Sequence, residues 1–298
     1  MNNPDYNNVA LLGREGFDIL QNLRILIVGL GGLGSFVAQE LVRLGAQNLI
    51  LVDNDRVDRS NLNRQILYDQ SDIGKSKALV AAKKLKNIAP WANIEAFDTR
   101  LTKTNGGFLV NVADIVIDCT DNFETKKLLN RLCYAAGRGF ITAGVGSWEG
   151  WVASFPFFKR EDKELPCLEC LFPGELEALK ELSSGPTAVT TVAVIGSLQV
   201  QEVVNLVSGK GESLEGKTLV VDLRGYQCFP VKINKNPQCE VCSPSPPPAS
   251  SPKREEAASS PEGGSPVSPS EPSPPPSEGA EPPPEGLPSD ESPEGESS

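Results

Sequence analysis

The segment from Asp53 to Lys77 is rich in side chains that could bind a polyphosphate. It includes the run Ser-Asn-Leu-Asn-Arg-Gln at positions 60–65. Cations neutralise phosphate charge, and amides donate hydrogen bonds to phosphate oxygens. The amides and cations of the segment are Asn61, Asn63, Arg64, Gln65, Lys75 and Lys77. This combination predicts a binding site for nucleotide phosphates.

Carboxylates accompany these groups: Asp55 lies within the segment, and Asp118 and Asp121 follow in the sequence Asp-Cys-Thr-Asp-Asn. Attack of a substrate carboxylate on the α-phosphate of ATP needs no general base, because the nucleophile is already ionised at pH 7. It needs charge neutralisation, which Arg64, Lys77 and a Mg²⁺ held by Asp121 would supply. Hydride transfer usually needs an acid or base, often histidine, and the chain has no histidine. These residues therefore favour nucleotidyl transfer over redox chemistry.

A glycine-rich turn precedes this segment. Gly29, Gly31, Gly32 and Gly34 follow an apolar run and precede a helical pattern. Such glycines let a phosphate approach the backbone N–H groups at a helix N-terminus. Asp53 follows Gly29 by 24 residues, where a carboxylate can accept hydrogen bonds from ribose hydroxyls. The pattern predicts nucleotide binding and leaves NAD and ATP both open.

Short apolar runs alternate with helical patterns in the first half of the chain. The predicted strands are residues 24–29, 48–53, 93–97, 114–119 and 140–144. The predicted helices are residues 34–45, 75–88 and 122–137. This alternation is typical of βαβ units and predicts an α/β fold with a doubly wound, mostly parallel, Rossmann-like sheet. The carboxyl ends of its strands would bring Asp53, Arg64, Lys77 and Asp121 to one crevice.

The pattern changes after residue 144, where Gly-Ser-Trp-Glu-Gly-Trp-Val-Ala-Ser-Phe-Pro-Phe-Phe is typical of strand with a glycine break. A long apolar helix is predicted from Pro186, in its first turn, to just before Gly209. Two further strands, residues 217–223 and 227–233, follow it. We expect these C-terminal strands to be antiparallel.

Four of the seven cysteines form two Cys-x-x-Cys pairs that are separated by 68 residues. The pairs are Cys167 with Cys170 and Cys239 with Cys242. Two such turns can supply four thiolates to one tetrahedral zinc ion, so we predict a structural zinc site, with a redox dithiol as the alternative. The remaining Cys119, Cys133 and Cys228 are expected to be buried and unreactive.

The net charge of −11 is concentrated at one end of the chain, because residues 243–298 carry 2 basic and 11 acidic residues. This segment is mostly Pro, Ser, Glu and Gly, and it lacks the apolar surface that would offset the entropy of ordering. We predict one folded domain, residues 1–242, and a disordered tail, residues 243–298, that serves as a spacer or docks a partner. No membrane span, secretory leader or basic stripe is evident, so we expect a cytoplasmic protein that binds neither membrane nor nucleic acid.

Four motifs, taken in order, resemble the ThiF/MoeB/HesA family, which is related to the adenylation domains of ubiquitin-activating enzymes. They are GLGGLGS at 29–35, DNDRVDRSNLNRQ at 53–65, GKSKA at 74–78 and DCTDN at 118–122. The resemblance covers residues 9–242. It implies ATP-dependent adenylation of the C-terminal glycine of a ubiquitin-like or sulfur-carrier protein, with release of pyrophosphate.

The resemblance also implies individual roles. The four glycines of the turn would cradle phosphate, Asp53 would hold the ribose, and Asp121 would bind Mg²⁺. Contacts to the triphosphate would come from Asn61, Arg64, Gln65 and Lys77, with Asp55 as a further active-site residue. The expected catalytic residues are Arg64, Lys77 and Asp121. The expected cofactors are ATP, Mg²⁺ and Zn²⁺, and the expected partner is a small carrier protein that ends in Gly-Gly.

Two segments depart from the family pattern. Many members have a cysteine between the first Cys-x-x-Cys pair and the long helix, but residues 171–191 contain none. We therefore expect no thioester or persulfide step on this chain, and a second protein would take the activated acyl group. Many members also begin with Arg-Tyr-x-Arg, whose arginine reaches the ATP site of a partner subunit. Here Asp5 occupies that position and Arg14 is displaced in register, so the homodimer implied by the resemblance would lack this shared arginine.

Two other functions stay open. One is a non-catalytic partner or scaffold of the same fold, against which the intact Arg64, Lys77 and Asp121 argue. The other is an NAD-dependent oxidoreductase, against which the absence of histidine argues.

Overall fold

The computed structural model describes residues 5–159, 165–172 and 186–243. Eight strands in these ranges form one sheet. They are β1 (Arg24–Val28), β2 (Asn48–Val52), β3 (Asn93–Phe97), β4 (Ile115–Asp118), β5 (Gly139–Val145), β6 (Glu149–Pro156), β7 (Lys217–Asp222) and β8 (Gln227–Lys232). The predicted tail, apart from Ser243, lies outside the described residues, and so do residues 173–185 of the cysteine-free segment.

Helices connect and cover these strands. They are α1 (Tyr6–Asn22), α2 (Gly32–Leu44), α3 (Lys77–Ile88), α4 (Lys103–Asn111), α5 (Phe123–Ala136), α6 (Leu168–Leu171) and α7 (Val189–Ser208). Short 3₁₀ turns occur at Arg59–Asn61, Gln70–Asp72 and Phe157–Lys159.

The strand order across the sheet is β3-β2-β1-β4-β5-β6-β7-β8. Neighbouring strands from β3 to β5 are parallel, and those from β5 to β8 are antiparallel. This confirms the predicted doubly wound sheet with antiparallel C-terminal strands. The chain proceeds from β1 to β2 and β3 on one side, and then resumes at β4 on the other side of β1. The carboxyl ends of β1 and β4 thus form a topological switch point, where ligands bind in sheets of this kind.

The sheet separates two apolar cores. Helices α1, α2, α3 and α7 contribute to one core, and α4, α5 and the cysteine pairs contribute to the other. In β1, Ile25 and Ile27 belong to the first core, whereas Leu26 and Val28 belong to the second. Side chains of a strand alternate between the two faces of a sheet, so a strand covered on both faces is a continuous apolar run. This explains why the central strands could be predicted.

The predicted helices correspond to α2, α3, α5 and α7. Gly45, Gly137 and Gly209 follow α2, α5 and α7 in the left-handed conformation, which glycine adopts without strain. The prediction that Pro186 lies in the first turn of α7 is wrong. The backbone is still extended at Ala188, and the helix begins at Val189.

The sequence patterns do not predict α1 and α4. Helix α4 contains Gly106 and Gly107, which disfavour a helix. Its first turn is stabilised by a hydrogen bond of 2.8 Å from the backbone N–H of Thr102 to Oδ1 of Asn105, and Leu109 is buried in the second core. Packing against α5 therefore outweighs the low helix propensity.

Helix α7 has the length and the mean hydropathy, 1.2, of a membrane-spanning helix. Half of it is buried, and it packs against α1, α2, β5 and β6. It is thus a core helix of the sheet domain.

Strand β8 is the edge of the sheet, and all six of its residues are exposed. Cys228 lies in this strand and is exposed, so the prediction that it is buried is wrong. The apolar run of β8 is typical of a covered strand, but both faces of β8 lack a covering element among the described residues. Cys119 and Cys133 are buried, as predicted.

Candidate active site

A cavity of about 550 Å³ opens at the carboxyl ends of β1, β2 and β4, which include the switch point. Nine predicted site residues line it: Gly29, Gly31, Gly32, Asp53, Asp55, Arg64, Gln65, Lys77 and Asp121. Polar residues to which the sequence analysis gave no role also line it: Asn54, Thr99, Arg100, Thr120, Asn122, Thr125, Lys126 and Thr187. The fold therefore brings the widely separated motifs to one place. Five residues that the sequence singled out are not in its lining: Gly34, Asn61, Asn63, Lys75 and Asp118.

The glycine turn joins β1 to α2 at the wall of the cavity. Gly29 has a φ of 87°, and a Cβ atom there would lie 2.9 Å from the carbonyl oxygen of Cys119. Gly34 lies inside α2, where a Cβ atom would lie 2.0 Å from the carbonyl oxygen of Gly29. Gly34 thus permits close packing of α2 on the strand. Of the glycines in this turn, Gly29, Gly31 and Gly32 face the cavity, beside the N-terminus of α2, which favours anions.

Asp53 connects the end of β2 to the glycine turn. Its Oδ2 accepts a hydrogen bond of 2.6 Å from the backbone N–H of Leu30, and its Oδ1 accepts one of 2.7 Å from that of Asp55. Burial raises the pKa of Asp53, while these two hydrogen bonds oppose the rise. Each carboxylate oxygen has a second lone pair, so Asp53 can still accept hydrogen bonds from ligand hydroxyls.

Lys77 begins α3, and its side chain is almost completely buried. Its Nζ lies 3.0 Å from Oδ2 of Asp55, a carboxylate that is 61% exposed. The backbone N–H of Lys77 also donates to the backbone carbonyl of Asp55 at 3.0 Å. The ammonium is thus fixed at the cavity wall, and its carboxylate partner is in contact with solvent.

Arg64 reaches the cavity from the turn that follows the first 3₁₀ segment. Its Nη1 donates to the carbonyl of Ser60 at 3.2 Å and to Oδ1 of Asn63 at 2.9 Å. Asn61 does not line the cavity. Its Oδ1 accepts a hydrogen bond of 3.2 Å from the backbone N–H of Asp58, and its carbonyl accepts from the N–H of Arg64 at 3.1 Å. Asn61 therefore shapes the turn that presents Arg64.

Gln65 lines the cavity with only 4% of its surface exposed. Its side-chain oxygen Oε1 has no hydrogen-bond partner among the described residues. A buried polar atom without a partner costs about 1–3 kcal/mol. A donor on a bound ligand or water would remove this cost, so Gln65 is suited to ligand binding.

The two aspartates of the Asp-Cys-Thr-Asp-Asn motif have opposite environments. Asp118 is fully buried, and its carboxylate accepts four hydrogen bonds. They come from the N–H and hydroxyl of Thr120 at 3.0 and 2.7 Å, from the hydroxyl of Thr142 at 2.6 Å and from Nζ of Lys126 at 2.9 Å. A carboxylate has about four lone-pair sites, so Asp118 has none left for a ligand. Asp121 is exposed at the cavity and is the aspartate of this motif that can bind a cation.

Lys126 is a cavity residue that the sequence analysis missed. A signal for it does exist, because Lys126, Leu129, Asn130 and Cys133 are the buried residues of α5 and have helical spacing. A lysine on the buried face of a helix requires a partner, and Asp118 is that partner.

The four cysteines of the two pairs come together although the pairs are distant in sequence. Their sulfur atoms all lie within 4.8 Å of one another, with Cys167 and Cys239 at 3.5 Å and Cys170 and Cys242 at 3.4 Å. Tetrahedral zinc with Zn–S bonds of about 2.3 Å requires sulfur atoms about 3.8 Å apart. Two of the observed distances lie slightly below this value and none exceeds 4.8 Å, so the four thiols fit a closed zinc site after a small adjustment.

Helix α5 holds the cysteine loops next to the active-site cavity. Oδ1 of Asn130 accepts a hydrogen bond of 3.1 Å from the N–H of Leu168, and the hydroxyl of Tyr134 donates to the carbonyl of Cys242 at 3.3 Å. The first turn of the same helix contributes Thr125 and Lys126 to the cavity. The cysteine cluster therefore supports the helix that forms part of the cavity wall.

The buried thiols outside the cluster are poor nucleophiles. Burial raises the pKa of Cys119 and of Cys133 well above the ordinary value, because it disfavours the thiolate. Cys119 does line the cavity, but its sulfur also lies 3.7 Å from Oε1 of Gln199. Cys119 therefore has the environment of a packed residue.

Arg14, the displaced N-terminal arginine, lies on α1 and is exposed. It pairs with Asp18 at 3.7 Å, one turn along the same helix, and it does not line the described cavity.

Comparison with known sequences gives one consistent result. The model of the ThiF family matches residues 4–241. The chain is 35% identical over 237 residues to the sulfur carrier protein adenylyltransferase of Thermus thermophilus, and the match covers 79% of this chain and 88% of that protein. It is 36% identical over 244 residues to the molybdopterin-synthase adenylyltransferase of Escherichia coli, with 80% and 95% of the two chains covered.

Comparison with solved structures shows the same fold. The crystal structure of E. coli MccB with ATP superposes with a TM-score of 0.69 at 23% identity, and it covers 81% of this chain and 74% of MccB. The crystal structure of PaaA superposes with a TM-score of 0.62 at 20% identity, and it covers 74% of this chain and 67% of PaaA.

Proposed function

Since the chain belongs to the ThiF family and is an adenylyltransferase of the ThiF/MoeB type, we propose that it adenylates the C-terminal carboxylate of a small carrier protein. ATP is the nucleotide donor and pyrophosphate the leaving group. The carrier is of the sulfur-carrier or ubiquitin-like type and ends in Gly-Gly. One observation carries this proposal: the glycine turn, Arg64, Lys77 and Asp121 line a single cavity at the switch point of the sheet.

The chemistry needs no proton transfer. A carboxylate oxygen of the carrier attacks the α-phosphorus, an O–P bond forms, and the bond from the α-phosphorus to the pyrophosphate oxygen breaks with its electron pair going to pyrophosphate. Arg64 and Lys77 stabilise the phosphate charge, and the N-terminus of α2 adds a positive potential beside Gly31. Asp121 would hold Mg²⁺, which supplies further charge neutralisation on the phosphates.

Asp53 would orient the nucleotide through its ribose hydroxyls, because both of its oxygens retain accepting capacity near the glycine turn. Asp55 would exchange its contact with Lys77 for water when phosphate arrives, since this carboxylate is already 61% exposed. A nucleophile of a second protein then takes the activated acyl group, and the bond from the acyl carbon to the phosphate oxygen breaks with AMP as the leaving group. An acceptor on another protein is consistent with the burial of Cys119, the thiol that lines the cavity, because burial disfavours the reactive thiolate.

A structural zinc ion in the cluster of Cys167, Cys170, Cys239 and Cys242 is part of the proposal, and the arrangement of the four thiols supports it. The homodimer and the Gly-Gly terminus of the carrier rest on the family resemblance. The cytoplasmic location stays a prediction.

The test is exchange of labelled pyrophosphate into ATP, measured with Mg²⁺ and a panel of candidate carrier proteins. We expect exchange with a carrier that ends in Gly-Gly, and none with the same carrier after its terminal glycine is deleted. Asp121→Ala should abolish exchange and leave zinc content and thermal unfolding unchanged. Asp18→Ala is the matched control, because the Asp18 carboxylate is exposed on α1, pairs only at 3.7 Å with the exposed Arg14 among the described residues, and does not line the cavity. ATP binding without exchange on any carrier would instead favour the scaffold.

A further inference from the structure

Lys126 lines the same cavity as Arg64 and Lys77, but the adenylation chemistry described above gives it no role. Its side chain is 6% exposed. The ammonium Nζ donates to Oδ2 of Asp118 at 2.9 Å and to the backbone carbonyl of Ala143 at 2.7 Å. Asp118 ends β4 and Ala143 lies in β5, so one cation joins two neighbouring strands at the cavity.

The carboxylate held by Lys126 also fixes the turn that carries Asp121. Oδ1 of Asp118 accepts hydrogen bonds from the N–H and the hydroxyl of Thr120, the residue before Asp121. Oδ1 of Asn122, the residue after it, accepts a hydrogen bond of 2.8 Å from the N–H of Thr125 and caps α5. The chain therefore leaves β4 at Asp118, places Asp121 at the cavity and enters α5. There Lys126 bonds back to the carboxylate of Asp118.

The charge of Lys126 is already balanced within this arrangement. Its ammonium has three N–H donors, of which two are used by Asp118 and Ala143. The carbonyl of Asp118 is held as well, because it accepts a hydrogen bond of 2.9 Å from Nε2 of Gln199 on α7. Lys126 thus fixes the positions of its neighbours in the cavity wall and does not supply an unpaired positive charge.

We propose that Lys126 is a positioning residue, which sets the location of Asp121 by joining Asp118 to Ala143 and thereby sets the affinity of the cavity for the Mg²⁺ complex of ATP. The inference rests on the proposed function at one point, the assignment of Asp121 as the Mg²⁺ ligand.

The test needs a variant that removes the contacts from Lys126 to Asp118 and Ala143 and does not leave a charge buried without its partner. Lys126→Met combined with Asp118→Asn removes both charges and keeps both side chains close to their original size. Lys126→Arg is the conservative variant, because it retains a cation that can donate to both acceptors. Lys127→Met is the matched control. The Nζ atom of Lys127 lies 5.4 Å from the ring centroid of Phe123, and Lys127 does not line the cavity.

ATP binding is measured by isothermal titration calorimetry in Mg²⁺ and again in EDTA, on the zinc-loaded full-length chain. The double variant should weaken binding in Mg²⁺ by about 10- to 100-fold, as loss of a residue that orients a metal ligand does, and should leave binding in EDTA unchanged. Lys126→Arg should retain most of the wild-type affinity in Mg²⁺, and Lys127→Met should match the wild type. A general structural role of Lys126 predicts equally weakened ATP binding in Mg²⁺ and in EDTA, and this result would overturn the inference. Unchanged ATP binding of the double variant in Mg²⁺ would overturn it as well.

Asp121→Ala is measured in parallel and separates two kinds of failure. If Asp121→Ala loses Mg²⁺-dependent binding and the double variant keeps it, the positioning role of Lys126 is wrong and the proposed function is untouched. If Asp121→Ala keeps it, the metal assignment in the proposed function is wrong, and the inference fails with it.

Discussion

Two lysines that line the same cavity, Lys77 and Lys126, each pair with an aspartate, and the two pairs differ mainly in how much water reaches the carboxylate. The Lys77–Asp55 pair has an N–O distance of 3.0 Å and an aspartate that is 61% exposed. The Lys126–Asp118 pair has a distance of 2.9 Å and an aspartate that is fully buried. Both pairs join a lysine to an aspartate, and their N–O distances are nearly equal. Burial therefore decides that the first pair can open to a ligand, whereas the second is a fixed part of the wall.

Removal of Lys126 alone should have the largest effect on stability. Lys126→Met leaves the carboxylate of Asp118 buried without its cation, which typically costs about 3–5 kcal/mol. We expect this loss in the free energy of unfolding measured with urea at pH 7.

The double variant, Lys126→Met with Asp118→Asn, should recover most of this stability because no buried charge remains. If the single variant cost under about 1 kcal/mol, as a surface pair does, the contrast between the two pairs would be lost.

Glu202 is a buried carboxyl that has no lysine within ion-pair distance among the described residues, and it behaves differently from Asp118. It lies on α7 with 1% of its surface exposed, and both of its oxygens accept from the N–H of Leu214 at 3.1 Å. Burial raises the pKa of Glu202 to about 7, against the hydrogen bonds that lower it. Between about pH 4.5 and pH 7 the folded state therefore binds more protons at this site than the unfolded state does.

Stability should accordingly fall as pH rises through this range, by up to about 3 kcal/mol from this one group. Glu202→Gln should remove that part of the decline, because an amide does not ionise and its oxygen can still accept from Leu214. Thermal unfolding of both proteins from pH 5 to pH 8 measures the difference. Glu212→Gln, at a side chain that is 94% exposed, is the control and should follow the wild type. Parallel curves for the wild type and Glu202→Gln would show that the site does not titrate in this range.

Asp55→Asn should have the smallest effect on stability. The Lys77 ammonium is buried, but the amide oxygen of Asn can still accept its hydrogen bond, and the carboxylate that is lost is solvated, so the loss should be about 1 kcal/mol or less. Urea unfolding should therefore change by no more than this amount. A loss as large as that of Lys126→Met would mean that Asp55 is structurally fixed, like Asp118.

Much of the site was predictable because its motifs are local. The glycine turn must follow a strand and precede a helix, and the run from Asn61 to Gln65 is fixed by its own turn. The roles of Gly34 and Asn61 were not predictable in the same way. Gly34 contacts Gly29 through the packing of α2, and Asn61 bonds to the backbone of Asp58, so neither lines the cavity.

The sequence by itself determined the parallel half of the sheet, the phosphate-binding motifs and the two cysteine pairs, because each depends on residues that are near one another in the chain. Only the tertiary structure decided that Asp118 is buried and Asp121 is exposed, that Lys126 joins two strands, and that the residues of β8 are exposed. The reason is that burial is set by distant segments. Thr142 of β5 and Gln199 of α7 bond to Asp118, and neither belongs to its motif.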